Sequence, residues 1–130
     1  MKTRTFHADV SQPQPGEIFV FGSNQAGYHG GGAARAAHQQ YGAEWGVPEG
    51  ATGNSYAIPT CDAAINPLPL AQIGDAVQRF LAEAVAHPER SYFVTRIGCG
   101  IAGHRDSDIA PMFSGAPSNC SLPDTWAPYF

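Results

Sequence analysis

Apolar residues fall along this chain in two rhythms. Short runs rich in β formers, at residues 18–21, 55–58 and 91–95, predict buried strands. Over residues 70–87, Leu70, Ile73, Val77, Phe80, Leu81, Ala84 and Val85 recur at helical spacing, and Pro88 ends the run. A shorter helix is predicted over 33–41 with Arg35, Gln39 and Gln40 outward, and a helical turn over 108–113. Residues 5–10 predict a first strand, ended by Pro13 and Pro15. Pro59 is expected to stop the 55–58 strand, and the glycine-containing stretch 44–54 to be loop. The proline-bearing tail from Ser114 predicts an arm lying on the surface. Strands alternating with helices predict one α/β domain over residues 1–130 with a largely parallel core.

Glycine clusters interrupt this pattern at two places. After the strand at 18–21 come Gly22, Ser23, Asn24, Gly27 and the triplet Gly30, Gly31, Gly32, and helix-forming residues begin at Ala33. The strand at 91–95 runs into Gly98, Cys99, Gly100, Ile101, Ala102 and Gly103. Strand, glycine loop and helix start together present backbone N–H groups and a positive helix end to an anion, most often a phosphate. The first loop has no Gly-Lys-Ser/Thr ending and departs from G-x-G-x-x-G, so neither familiar phosphate motif explains it. In parallel sheets ligands sit at the carboxyl ends of strands, where both loops fall.

Charge narrows the ligand. The chain has 7 Lys plus Arg against 11 Asp plus Glu, a net charge of −4. That excludes an electrostatic nucleic-acid binder, which needs a basic stripe, but leaves room for a small basic pocket reading one nucleotide. Three widely spaced cysteines (Cys61, Cys99, Cys120) fit a reducing compartment better than a disulfide framework. No apolar run approaches the ~18 residues of a membrane span, and the start lacks a signal-peptide core; a cytoplasmic setting is expected. No His/Cys pair sits at ligand spacing, so neither a metal nor a cofactor is expected.

The two loops, read as Asn24-x-x-Gly27-x-x-Gly30-x-Gly32-Ala33-Ala34 and Arg96-Ile97-Gly98-Cys99-Gly100-Ile101-Ala102-Gly103, resemble the macro domain. The likeness is to the subgroup holding the terminal ADP-ribose protein glycohydrolase and the antitoxin that strips ADP-ribose from DNA. Ala8-Asp9-Val10 looks like the family's G-D-I, and Ile58-Pro59-Thr60 is similar to the subgroup's F-P-T. The resemblance implies a three-layer α/β domain with a mixed, mostly parallel sheet, here shortened at the C-terminus. It implies that Asp9 accepts a hydrogen bond from the adenine amino group beside the Val10 N–H, and that Asn24 holds the distal ribose. The loops Gly30, Gly31, Gly32, Ala33 and Gly98, Cys99, Gly100, Ile101, Ala102, Gly103 would wrap the diphosphate with backbone donors. An aromatic residue would flank the ligand, with Tyr28, Tyr92 and Trp126 as the candidates.

Departures from the subgroup bear on chemistry. Its catalytic lysine position is Cys61 here, its second-loop acidic residue aligns with Ala102, and the aspartate some macro domains carry after the triplet aligns with Ala34. Lys2 is the sole lysine, which argues against a lysyl intermediate. The expected catalytic residues are therefore Asn24, as a positioning amide, and Asp62, as a base polarising water or as a plain loop carboxylate. His29 and His104 each lie in or beside a glycine loop and either face phosphate or stay on the surface. Arg96 either neutralises phosphate or pairs with Asp62 or Asp106. Cys61 and Cys99 read as buried fillers rather than nucleophiles. Two functions follow: binding ADP-ribose with its removal from a modified protein or nucleic acid, or non-catalytic reading of ADP-ribose or a related NAD-derived nucleotide.

Overall fold

The computed structural model describes residues 5–130; Lys2 lies outside them. Six strands form one sheet in the order β1-β6-β5-β2-β4-β3. They are β1 (Thr5–His7), β2 (Glu17–Asn24), β3 (Gly50–Thr52), β4 (Ser55–Cys61), β5 (Ser91–Val94) and β6 (Cys120–Pro123). All neighbouring pairs are parallel except β3 with β4. The helices are α1 (Gly32–Gln40), α2 (Leu70–Ala86) and the short α3 (Asp106–Ile109), which runs into a 3-10 turn at Ala110–Phe113. A second 3-10 turn, Asp124–Tyr129, ends the chain. The α/β class with a mostly parallel sheet is thus as expected.

The period-2 alternation of the strands divides the core into two layers. On one face Val20, Tyr56, Ile58, Tyr92, Val94 and Leu122 pack against Ile73, Val77, Phe80 and Leu81 of α2. On the other face Phe19, Phe21, Ala57 and Phe93 meet Ala34 and Ala37 of α1. Small alanines bring α1 down close over β2 and leave the β1–β6–β5 half of that face without a helix. There the sheet carries Phe93, Ser121 and His7. His7 stacks on Phe93 with centroids 3.7 Å apart, and its Nδ1 is 2.8 Å from the Ser121 hydroxyl.

Several boundaries differ from expectation. The first strand stops at His7, because Asp9 and Val10 lie in a turn. The strand at 18–21 extends to Asn24, paired with β4 through a register shift between Ser23 and Asn24. Pro59 does not end β4: the partner β3 spans only Ser55–Ala57, and beyond it a proline at an open edge withholds no ladder hydrogen bond. β3 itself lies inside the stretch expected to be loop. In α2, Val85 keeps the helical spacing but is exposed, one residue past the packed stripe.

The tail is the largest correction. It is no surface arm: β6 is inserted between β1 and β5, all four of its residues are buried, and Trp126 is fully buried. Of its three prolines, Pro117 precedes β6, Pro123 is the last residue of β6, past the Cys120–Ser121 stretch that pairs with β5, and Pro128 lies in the 3-10 turn.

Candidate functional site

The uncovered half of the α1 face opens as a cleft of about 540 Å³ at the carboxyl ends of the strands. One wall is α1, whose Ala33, Ala36 and Gln40 face the cleft at helical spacing, with Tyr41 closing it. The opposite rim is the turn after β1, comprising Asp9, Val10, Ser11 and Gln12. His7, Phe19 and Phe93 form the floor, and the second glycine loop from Gly98 to Ala102 closes the top.

Both glycine loops bring donors to this cleft. α1 starts at Gly31–Gly32 with no side-chain cap and no acidic residue in its first turn, so its first N–H groups keep no side-chain acceptor. In the second loop the N–H groups of Cys99 and Gly103 close turns onto Arg96 and Gly100. Those of Gly100, Ile101 and Ala102 have no acceptor among the described residues. Gly32 has φ +59° and Gly98 φ +74°, and a Cβ at Gly98 would lie 3.0 Å from Ile109 Cδ1. Only glycine meets both conditions without strain. A Cβ at Gly32 would sit 3.6 Å from Ile101 Cδ1, so the two loops meet across the cleft.

The rim turn is strained. Val10 holds φ +63° and is 93% exposed. A β-branched residue in the left-handed region costs on the order of 1–2 kcal/mol, and such strain concentrates at ligand sites.

Arg96 fixes the electrostatics. Its Nε and Nη2 donate to the two carboxylate oxygens of Asp106 at 3.0 and 2.6 Å, and its Nη1 donates to Asp9 Oδ2 at 3.4 Å. Of the two pairings expected for Arg96, the one with Asp106 forms and that with Asp62 does not. These bonds from Arg96, with a further one from Trp126 Nε1, hold the Asp106 carboxyl below its usual range. Cys99 lines the cleft, but burial together with the Asp106 carboxylate pushes its thiol up to about 12. A buried thiol raised in this way is a poor nucleophile at neutral pH. Cys61 is buried, and burial raises its thiol too.

The cleft gathers Asp9, Val10, Gly31, Gly32, Ala33, Gly98, Cys99, Gly100, Ile101 and Ala102 from the residues expected to bind ligand. Asn24, Gly30 and Gly103 do not line it. The Asn24 side chain is spent on its own loop: Nδ2 donates to the Tyr28 carbonyl at 2.7 Å, and Oδ1 accepts from the Tyr28 N–H at 3.1 Å. Asp62 lies outside the cleft as well. Its Oδ1 accepts from the backbone of Ala64 and Asn66 at 2.9 Å, and these bonds, Asn66 foremost, hold its carboxyl below the usual range.

Neither histidine singled out in the loops reaches the cleft. His29 is buried with Nε2 3.0 Å from the Glu44 carbonyl, and His104 Nε2 is 3.1 Å from the Leu68 carbonyl. None of the three candidate aromatics lines the cleft. Tyr28 stacks outside on Trp45, Tyr92 lies in the core under α2, and Trp126 is buried beneath Asp106. The aromatic lining is His7, Phe19, Phe93 and Tyr41 instead. Period-2 alternation from Phe19 on β2 was the available clue to one of them; Phe93 alternates likewise between Tyr92 and Val94.

No family model and no curated protein matches the chain. Its fold is similar to the solved structure of a protein of unknown function from Bacteroides thetaiotaomicron. That likeness has 15% sequence identity and a TM-score of 0.63, and covers 94% of this chain and 98% of the other. At that identity it speaks for the fold alone.

Proposed function

We propose that this chain is a macro-domain-like module that binds ADP-ribose, or the ADP-ribosyl end of a modified molecule, in the cleft beside α1. One observation carries the reading: the uncapped start of α1 and the second glycine loop, whose Gly100, Ile101 and Ala102 N–H groups have no acceptor among the described residues, line the same cleft at the strand ends. Backbone donors hold a diphosphate without lysine, which suits a chain whose only lysine is Lys2. Asp9 and Val10 lie on the rim, at the place where the resemblance would put the base.

Recognition without cleavage is the form of this function that the geometry favours. The side chains of Asn24 and Asp62 are engaged in their own loops, and burial raises the thiols of Cys61 and Cys99. The second reading is an ADP-ribosyl glycohydrolase, favoured by the match of Arg96–Gly103 to a hydrolytic subgroup. There the ligand's own phosphate and a held water would do much of the work at the anomeric carbon. Calorimetric titration with ADP-ribose, NAD and ATP tests the binding claim. A release assay on ADP-ribosylated protein and DNA then separates the two forms. Tight binding with no release supports the reader, and turnover makes the chain a hydrolase.

A further inference from the structure

We infer that Arg96 determines which base the cleft accepts, by fixing the acceptor face of Asp9. The inference rests on the ADP-ribose-binding reading above. It begins from the rigidity of the guanidinium. Two of its nitrogens are bound to the two oxygens of Asp106, and Asp106 Oδ1 also takes the indole N–H of the fully buried Trp126 at 2.7 Å. A planar fork held this way has one orientation, which leaves Nη1 aimed at Asp9 Oδ2.

Asp9 is steadied from a second direction. Its backbone N–H donates to Asp124 Oδ1 at 3.3 Å, so the C-terminal 3-10 turn holds both the rim turn, through Asp124, and the fork, through Trp126. Asp9 Oδ2 is thereby turned toward Arg96, and Oδ1 has no partner among the described residues. Both Asp9 and Arg96 line the cleft. The free oxygen accepts and does not donate. A ligand base must bring an N–H to it, as the exocyclic amine of adenine does. The carbonyl of hypoxanthine at the same place would set acceptor against acceptor. Lysine cannot substitute for Arg96, because a point charge does not hold two carboxylates in a fixed fork. Arg96 is a positioning residue here, and base selectivity is its readout.

The test compares ADP-ribose with its hypoxanthine counterpart, inosine diphosphate ribose, by calorimetry on the wild-type chain, Arg96→Lys and Asp124→Ala. The wild type is expected to prefer ADP-ribose by on the order of 100-fold or more, as a site built around one hydrogen bond does. In Arg96→Lys that preference should fall at least ~10-fold while ADP-ribose binding stays measurable. Asp124 is exposed, so Asp124→Ala keeps the test open where Arg96→Lys fails to fold; it should lower the preference in the same direction. An unchanged preference in the folded variants overturns the inference, as does a wild type that binds both ligands equally. In either case the ADP-ribose reading stands. A wild type that binds neither ligand overturns that reading and the inference with it.

Discussion

Asn24 and Tyr28 are joined by two hydrogen bonds, side-chain amide to backbone carbonyl and backbone N–H to side-chain oxygen, at 2.7 and 3.1 Å. The residue that opens the first glycine loop is therefore a clamp on that loop. At 8% exposure its amide cannot be replaced by water without rearrangement. Asn24→Ala should lower stability by about 1–3 kcal/mol, the usual cost of leaving a buried partner unsatisfied. Urea denaturation measures this. A loss within a few tenths of a kcal/mol would make the clamp unimportant.

Below about pH 4 acid should act through Asp106. Its folded carboxyl lies below the ordinary value of 3.8 because Arg96 and Trp126 bond to it. A depressed carboxyl contributes stability that is complete above the unfolded value and is lost as pH falls through it toward the folded value. Urea midpoints should therefore drop steeply below about pH 4, and Asp106→Asn, although less stable at neutral pH, should show a shallower drop. Parallel acid curves for the two proteins would contradict this.

Near neutrality the histidines decide. Burial against Phe93 lowers the His7 imidazole from its ordinary 6.5, and burial lowers His29 as well. Below 6.5 the unfolded chain takes up protons that the folded chain refuses, so stability is full above that pH and declines as pH falls past it. Unfolding free energy should be smaller at about pH 5.5 than at about pH 7.5, and His7→Phe should reduce the difference. Equal pH dependence in His7→Phe would show that His7 titrates freely when folded.

The phosphate cradle is tested at Gly32. Its φ of +59° makes any side chain strained, at roughly 1–2 kcal/mol, and its Cβ position points toward Ile101 across the cleft. Gly32→Glu should still fold and, under the proposed function, should lose at least ~100-fold in ADP-ribose affinity, since it would place a like charge beside the diphosphate. Retained affinity in the folded variant would move the ligand elsewhere.

What could be read before folding depended on how local the cause was. The α2 stripe from Ile73 to Ala84 and the strand cores at Val20 and Val94 follow from periodicity, and they appeared where expected. The tail did not, because Pro123 falls at the end of β6, past its pairing with β5, and burial of Leu122 and Trp126 is a tertiary event. That two glycine loops border the strand ends was readable from composition and order alone. The side chains around them were not: an asparagine after a strand suits ligand contact and loop clamping equally, and the clamp of Asn24 on Tyr28 is visible only in the fold. Asp62 presents the same ambiguity, resolved by the N–H groups of Ala64 and Asn66. The aromatic floor of His7, Phe19 and Phe93 arises because α1 covers only half of its face of the sheet, which no local pattern encodes.

The most direct test of the account is a side-by-side calorimetric titration of the wild-type chain with ADP-ribose and AMP. AMP keeps the adenine that Asp9 and Val10 would hold but lacks the second phosphate and the distal ribose. Each charge-assisted N–H contact to phosphate contributes about 1.5–3 kcal/mol, roughly tenfold or more in affinity. The account predicts that ADP-ribose binds at least ~100-fold more tightly than AMP, with saturation at one ligand per chain. Equal affinity for the two, or no heat with ADP-ribose, would contradict it.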